Sequence, residues 1–105
     1  MWIDVLLAFL GASLLVNAVP HFVSGVTGRH FQTPFASPPG RGLSSPSVNV
    51  LWGTFNLIAG YALLMPVGHI DLTETVSTVS FFAGVLFTAL SLARHLGPLH
   101  GGEGS

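Results

Sequence analysis

Three apolar stretches, at about residues 2–27, 46–65 and 72–96, leave this chain with very little that can face water. A helix that crosses a bilayer needs about 20 consecutive apolar residues, and each stretch supplies them. Charged residues make up only 7% of the 105, against about 25% in an ordinary soluble domain. Three basic and four acidic side chains cannot solvate the surface of a globule of this size, whereas lipid requires no such surface. The expected fold is therefore all-α. It is an integral membrane three-helix bundle in a single domain, residues 1–96, followed by a disordered glycine-rich tail, 97–105.

The remaining bulk properties mainly exclude. A net charge of −1 provides no general attraction to nucleic acid. The absence of cysteine removes disulfides, thiolate nucleophiles and sulfur metal ligands. The N-terminal stretch has a superficial likeness to a signal peptide, with Val16 and Ala18 placed like the small residues before a cleavage site. Asp4 occupies the place of the positive region, however, and no Lys or Arg precedes the apolar run. The first helix is expected to be retained.

Helix ends are marked by local chemistry. Pro20 lacks a backbone donor and predicts a bend near Val16–Pro20, and Gly28 offers a C-terminal stop. Residues 28–47 hold Pro34, Pro38, Pro39 and Pro46, which preclude a continuous helix. Phe31, Phe35 and Leu43 should lay this connection against the membrane surface or under the bundle. Ser45 followed by Pro46 predicts an N-cap with proline at the first helical position, and Pro66 with Gly68 ends that helix. Asp71 and Glu74 have the spacing of a capping box for the third helix. Arg94 and His95 suit its last turn, and Gly97-Pro98 should stop it.

The few cations also suggest an orientation. Arg29 and Arg41 lie in the first connection and Arg94 at the end of the third helix, so three spans place all of them on one side. Basic residues accumulate in the cytoplasm. The expectation is a bacterial inner-membrane protein with its N-terminus outside and its C-terminus cytoplasmic.

In a lipid-facing helix the small and polar residues are the informative ones. Ser13, Asn17, His21 and Ser24/Gly25 recur along one face of the first helix. Asn49, Gly53, Asn56 and Gly60 do so on the second, and Ser77, Ser80, Gly84, Thr88 and Ser91 on the third. The stripes should face inward, with Gly53, Gly60 and Gly84 as packing positions. Asn17, His21, Asn49, Asn56, Thr88 and Ser91 form the candidate polar cluster, near one depth and beneath the proline-rich connection. Two readings stay open for it: hydrogen-bonded packing, or the lining of a solute path. His21 and His95 raise the further idea of a haem held between two imidazoles, but no supporting motif accompanies them. His69 and His100 have no partner at metal-ligand spacing. No metal or other cofactor is expected, and no intramembrane acid stands ready to orient a catalytic base.

Between Asn17 and Tyr61 the chain resembles a small family of bacterial multi-pass membrane proteins. The resemblance is carried by Asn17, Pro20-His21-Phe22, Gly25, Gly28, Thr33-Pro34-Phe35, Pro39-Gly40, Ser45-Pro46, Asn49, Trp52-Gly53, Asn56 and Gly60-Tyr61. It implies three or four spans and no defined chemistry. A fainter resemblance is to PQ-loop half-transporters. Pro20-His21 stands where those have Pro-Gln and Asn56 imitates a pocket amide, while the histidine and the long connection depart from their pattern. The function expected from all this is a non-enzymatic subunit or scaffold, packing with itself or with a larger membrane complex. The alternative is a homo-oligomeric transporter or channel for a small uncharged solute. The absence of charge within the spans favours the first, because ion-coupled carriers place ionisable groups there.

Overall fold

A computed structural model of the chain describes residues 2–102. Helix α1 spans Trp2–Val26, α2 spans Pro46–Ala62 and continues as a π-helical turn over Leu63–Val67, and α3 spans Thr75–Leu99. All three are long and apolar enough to cross a membrane. At 1.5 Å per residue their 25, 22 and 25 residues exceed the roughly 30 Å of a hydrocarbon core.

Each boundary has a local cause. α1 stays helical through Pro20 and ends in a Schellman turn. There the Gly28 amide bonds the Gly25 carbonyl at 3.0 Å and the Arg29 amide bonds the Ser24 carbonyl at 2.9 Å. Gly28 adopts φ +75°, a left-handed conformation that a side chain would penalise. α2 starts as expected: the Val48 amide donates to Ser45 Oγ at 3.2 Å, and Pro46 occupies the first turn. The same helix passes its expected end. Pro66 cannot donate an amide bond, and the backbone accommodates it by widening into the π turn rather than by stopping.

Three expectations are corrected. The fold is mostly helical but not all-α. Within the connection, β1 (Phe31–Gln32) pairs antiparallel with β2 (Leu43–Ser44), Phe31 opposite Ser44 and Gln32 opposite Leu43. Prolines bar a helix there, yet those four residues remain free to pair. The capping box at Asp71–Glu74 does not form. The N-cap of α3 is Glu74, whose side chain caps no backbone amide and instead accepts from Ser77 Oγ at 3.0 Å. Asp71 Oδ1 accepts from the Thr73 amide at 2.9 Å and from the Thr73 hydroxyl, closing a turn ahead of the helix. Lastly, Gly97-Pro98 lies inside α3. A Gly-Pro pair stops a helix only if the chain then turns away, and here the His100 amide still bonds the Leu96 carbonyl at 3.0 Å. Residues 97–99 are therefore helical rather than part of a disordered tail, and residues 103–105 of that tail lie outside the described residues.

α1 is the central helix. It packs along α2 on one side and α3 on the other, while α2 and α3 scarcely meet. Small residues make both contacts close. A β-carbon at Gly53 would stand 2.8 Å from the Phe22 amide nitrogen, and one at Gly60 would stand 2.9 Å from the Gly11 carbonyl oxygen. At Gly84 it would stand 2.5 Å from the Phe9 carbonyl oxygen. Away from the connection, Ala8, Leu64 and Ile70 form a small buried core joined by Leu7, Leu15 and Phe81.

Two outcomes are expected. Gly84→Leu drives a side chain into the α1 backbone and should destabilise the fold by about 1–3 kcal/mol, measured by reversible unfolding in detergent. Ala83→Leu, at an exposed neighbour, should leave stability unchanged, and equal effects would show that α3 does not pack on α1 through Gly84. The hydroxyl and then the amide of Thr73 hold the Asp71 carboxyl below its ordinary value of 3.8. The stability this contributes is present above 3.8 and lost as pH falls through the lower folded value. Carbon-detected NMR should find an Asp71 midpoint below the ordinary carboxylate range, moving part of the way back in Thr73→Val, which removes the hydroxyl and keeps the amide. A normal midpoint in the parent would refute the turn.

Candidate functional site

At the end of the bundle that carries the connection, one amide ties the parts together. Asn49, on the first turn of α2, is completely buried. Its Nδ2 donates to three carbonyls: Phe31 at 3.2 Å, Ser44 at 3.2 Å and Ser45 at 3.1 Å. Carbonyls only accept, so the amide orientation is set and Oδ1 is left as the acceptor for His21 Nδ1, 2.9 Å away on α1. His21 must then carry its proton on Nδ1 when neutral, which leaves Nε2 as a bare lone pair. Among the described residues that nitrogen has no partner.

One turn earlier on α1, Asn17 Nδ2 donates to Asn56 Oδ1 at 3.2 Å, and Asn56 Nδ2 donates to its own helix at Trp52 O, 2.8 Å away. Asn17 Oδ1 has no donor among the described residues. The connection is sealed to the bundle by aromatic rings. Phe31 meets the His21 ring edge-on at 5.5 Å and stacks on His100 at 5.2 Å, while Trp52 meets Phe35 edge-on at 4.8 Å. α3 fastens the same segment from the other side. His95 Nε2–H donates to the Gly40 carbonyl at 2.6 Å, and His100 bonds Gln32 Oε1 at 2.7 Å.

These elements line a half-open cavity of about 210 Å³. Asn17 and His21 line it from α1, Trp52 from α2, and Leu92, His95 and Leu96 from α3; Phe31, Gln32, Pro34 and Gly40 close it from the connection. Among the described residues no Asp, Glu, Lys or Arg lines it. Trp52 Nε1 is buried with no partner among the described residues, unusual for an indole N–H. The structure thus gathers four of the six cluster residues, with Asn17 and His21 on the cavity and Asn49 and Asn56 directly behind them. Thr88 is half-buried and Ser91 exposed, and neither lines it. From α3 the cavity instead takes the next turn, Leu92 to Leu96. Gln32, Trp52 and His95 were not singled out for the cluster by the sequence. The His95 position in a last turn gave no sign that a glycine carbonyl 55 residues away would receive its N–H.

The volume bears on the haem idea. Cofactor pockets usually enclose about 300–1,000 Å³, so 210 Å³ between His21 and His95 does not fit a porphyrin. Among the described residues no group of three or more His, Cys, Asp or Glu side chains converges on a metal position. No protein-family model, no curated protein and no solved structure matches the chain. Its membrane character therefore rests on the three helices themselves.

Asn49 and Asn56 should behave differently when mutated. Asn56→Leu removes one interhelical bond and should cost about 0.6–1.7 kcal/mol, leaving the connection docked. Asn49→Leu strands buried carbonyls and the His21 N–H and should cost about 1–3 kcal/mol. It should also speed amide exchange across residues 31–44. Unchanged exchange there in Asn49→Leu would show that the amide does not hold the connection.

Proposed function

We propose that the protein is a non-enzymatic membrane subunit or scaffold, associating with further copies of itself or with a larger membrane complex. It lies in the membrane with its N-terminus outside and the α1–α2 connection and C-terminus in the cytoplasm. The observation that carries this reading is where the polar and small residues go. Asn49, Asn56, Gly53, Gly60 and Gly84 are all buried between helices, and Ser13 and Ser80 return their hydroxyls to carbonyls of their own helices. What remains outside is bulky and apolar: Leu51, Phe55, Ile58 and Tyr61 on α2, and Val79, Phe82, Leu86 and Phe87 on α3.

The arrangement of the helices supports assembly over solute transport by one chain. With α1 between α2 and α3, the chain keeps no interior running from end to end. The fully buried positions of α3 form a narrow stripe, Ser77, Ser80 and Gly84, and Val79, Phe82, Leu86 and Leu90 are exposed to lipid or a neighbour. Arg29, Arg41 and Arg94 share one end of the bundle, which supports the orientation.

Extraction from native membranes into mild detergent should yield a particle larger than the monomer, with a reproducible composition by mass spectrometry. Cysteine at Leu86, in a chain that has none, should cross-link to that neighbour. A bare monomer in native nanodiscs would reject the assembly reading. For orientation, Ser37→Cys should resist an impermeant thiol reagent in intact cells while Thr73→Cys reacts, and the reverse pattern would invert the topology.

A further inference from the structure

Asn17 and His21 stand one turn apart on α1, and both line the same cavity with unused acceptors. Asn17 commits its amide nitrogen to Asn56, leaving Oδ1. His21 commits Nδ1–H to Asn49, leaving the Nε2 lone pair. His95 commits Nε2–H to the Gly40 carbonyl, so in the neutral form the ring has its lone pair on Nδ1. Three acceptors without donors among the described residues, with the unpartnered Trp52 N–H among the lining and Phe31 and Leu92 as apolar wall, call for a molecule whose hydroxyl donates hydrogen bonds and which offers an apolar body.

Charge and size narrow the class. Among the described residues no side chain of fixed charge lines the cavity, so an ion would lose its hydration with no opposite charge from them to replace it. The volume of about 210 Å³ exceeds the ~150 Å³ that accommodates benzene and falls below the ~300 Å³ of the smaller drug sites. It is room for one ring and its substituents.

The geometry points to a binding site for an uncharged, hydroxylated single-ring molecule, a phenol or hydroquinone, whose hydroxyl donates to His21 Nε2 while the ring lies against Phe31 and Trp52. A second hydroxyl has Asn17 Oδ1 or His95 Nδ1 as its acceptor. Asn49 is the positioning residue: by accepting from Nδ1–H it keeps the Nε2 lone pair available. This site does not depend on the assembly reading, since it is complete within one chain.

The test uses the full chain in lipid nanodiscs with ¹⁵N-labelled histidine, titrated with phenol. The His21 Nε2 resonance should move saturably. Toluene, which has the ring without the hydroxyl, should bind at least about tenfold more weakly, as expected for the loss of a hydrogen bond to a buried acceptor. His21→Phe, followed through the Trp52 indole resonance, should erase the preference for phenol over toluene. Leu92→Phe narrows the cavity without touching any of these hydrogen bonds and should abolish binding of both; it decides the matter if His21→Phe fails to fold. Competition by 4-decylphenol assigns entry from the bilayer, and phenol binding without that competition assigns entry from water; either keeps the ligand class. The proposal is overturned by a shift that never saturates, by equal binding of toluene and phenol, or by phenol binding that survives in Leu92→Phe.

Discussion

The buried Asn49 amide is the interaction on which the rest of the architecture hangs. Its side chain makes four hydrogen bonds, to both strands of the small sheet, to the helix-capping residue Ser45 and to His21. A buried amide left unpaired is costly where no water can reach it. Each of these four groups therefore constrains the others. The start of α2, the depth of α1 and the position of the sheet cannot shift independently. Thr33, almost as deeply buried, extends the same arrangement into the connection, where its carbonyl receives the Gly40 amide at 2.9 Å.

Glycine makes this geometry possible along the rest of α1 and α2. Lipid is as apolar as leucine, so these helices gain little from burying apolar surface against each other, and close packing must supply the attraction. Gly53 and Gly60 allow backbone-to-backbone approach on either side of Asn56. That amide then bonds Asn17 across the gap. Gly84 does the same for α3, but with serines that bond within their own helix. The two contacts differ in kind: α1 and α2 are joined by polar bonds, α1 and α3 by shape alone.

The two ends of the molecule differ as a result. Away from the connection, Ala8, Leu64, Ile70 and Phe81 bring all three parts of the chain into apolar contact. At the other end a folded segment stands between α2 and α3, held by rings and imidazoles, and a cavity survives beneath it. Rigid rings packed edge to face do not collapse into every space. The bonds from His95 and His100 to the segment keep α3 from closing over it. A largely apolar cavity, with a few amide and imidazole groups and no fixed charge among its described lining residues, is the consequence.

The sequence by itself determined the solvent, the number of spans, the capping of α2 by Ser45 and the inward stripe of α2, because these follow from composition and helical period within one segment. Asn17, His21, Asn49 and Asn56 were legible as a group for the same reason: polar side chains in lipid must be buried against protein. Tertiary structure alone decided what they bond. The pairing of β1 with β2, the reach of His95 to Gly40 and the entry of Trp52 and Gln32 into the cavity all join residues far apart in the chain, on which local propensity is silent. It also overrode two local signals. Asp71-x-x-Glu74 reads as a capping box and Gly97-Pro98 as a stop, but the first depends on where the chain enters α3 and the second on whether it has somewhere else to go. Both are properties of the packed molecule, because a cap or a break is favoured only relative to the contacts that the alternative path would make.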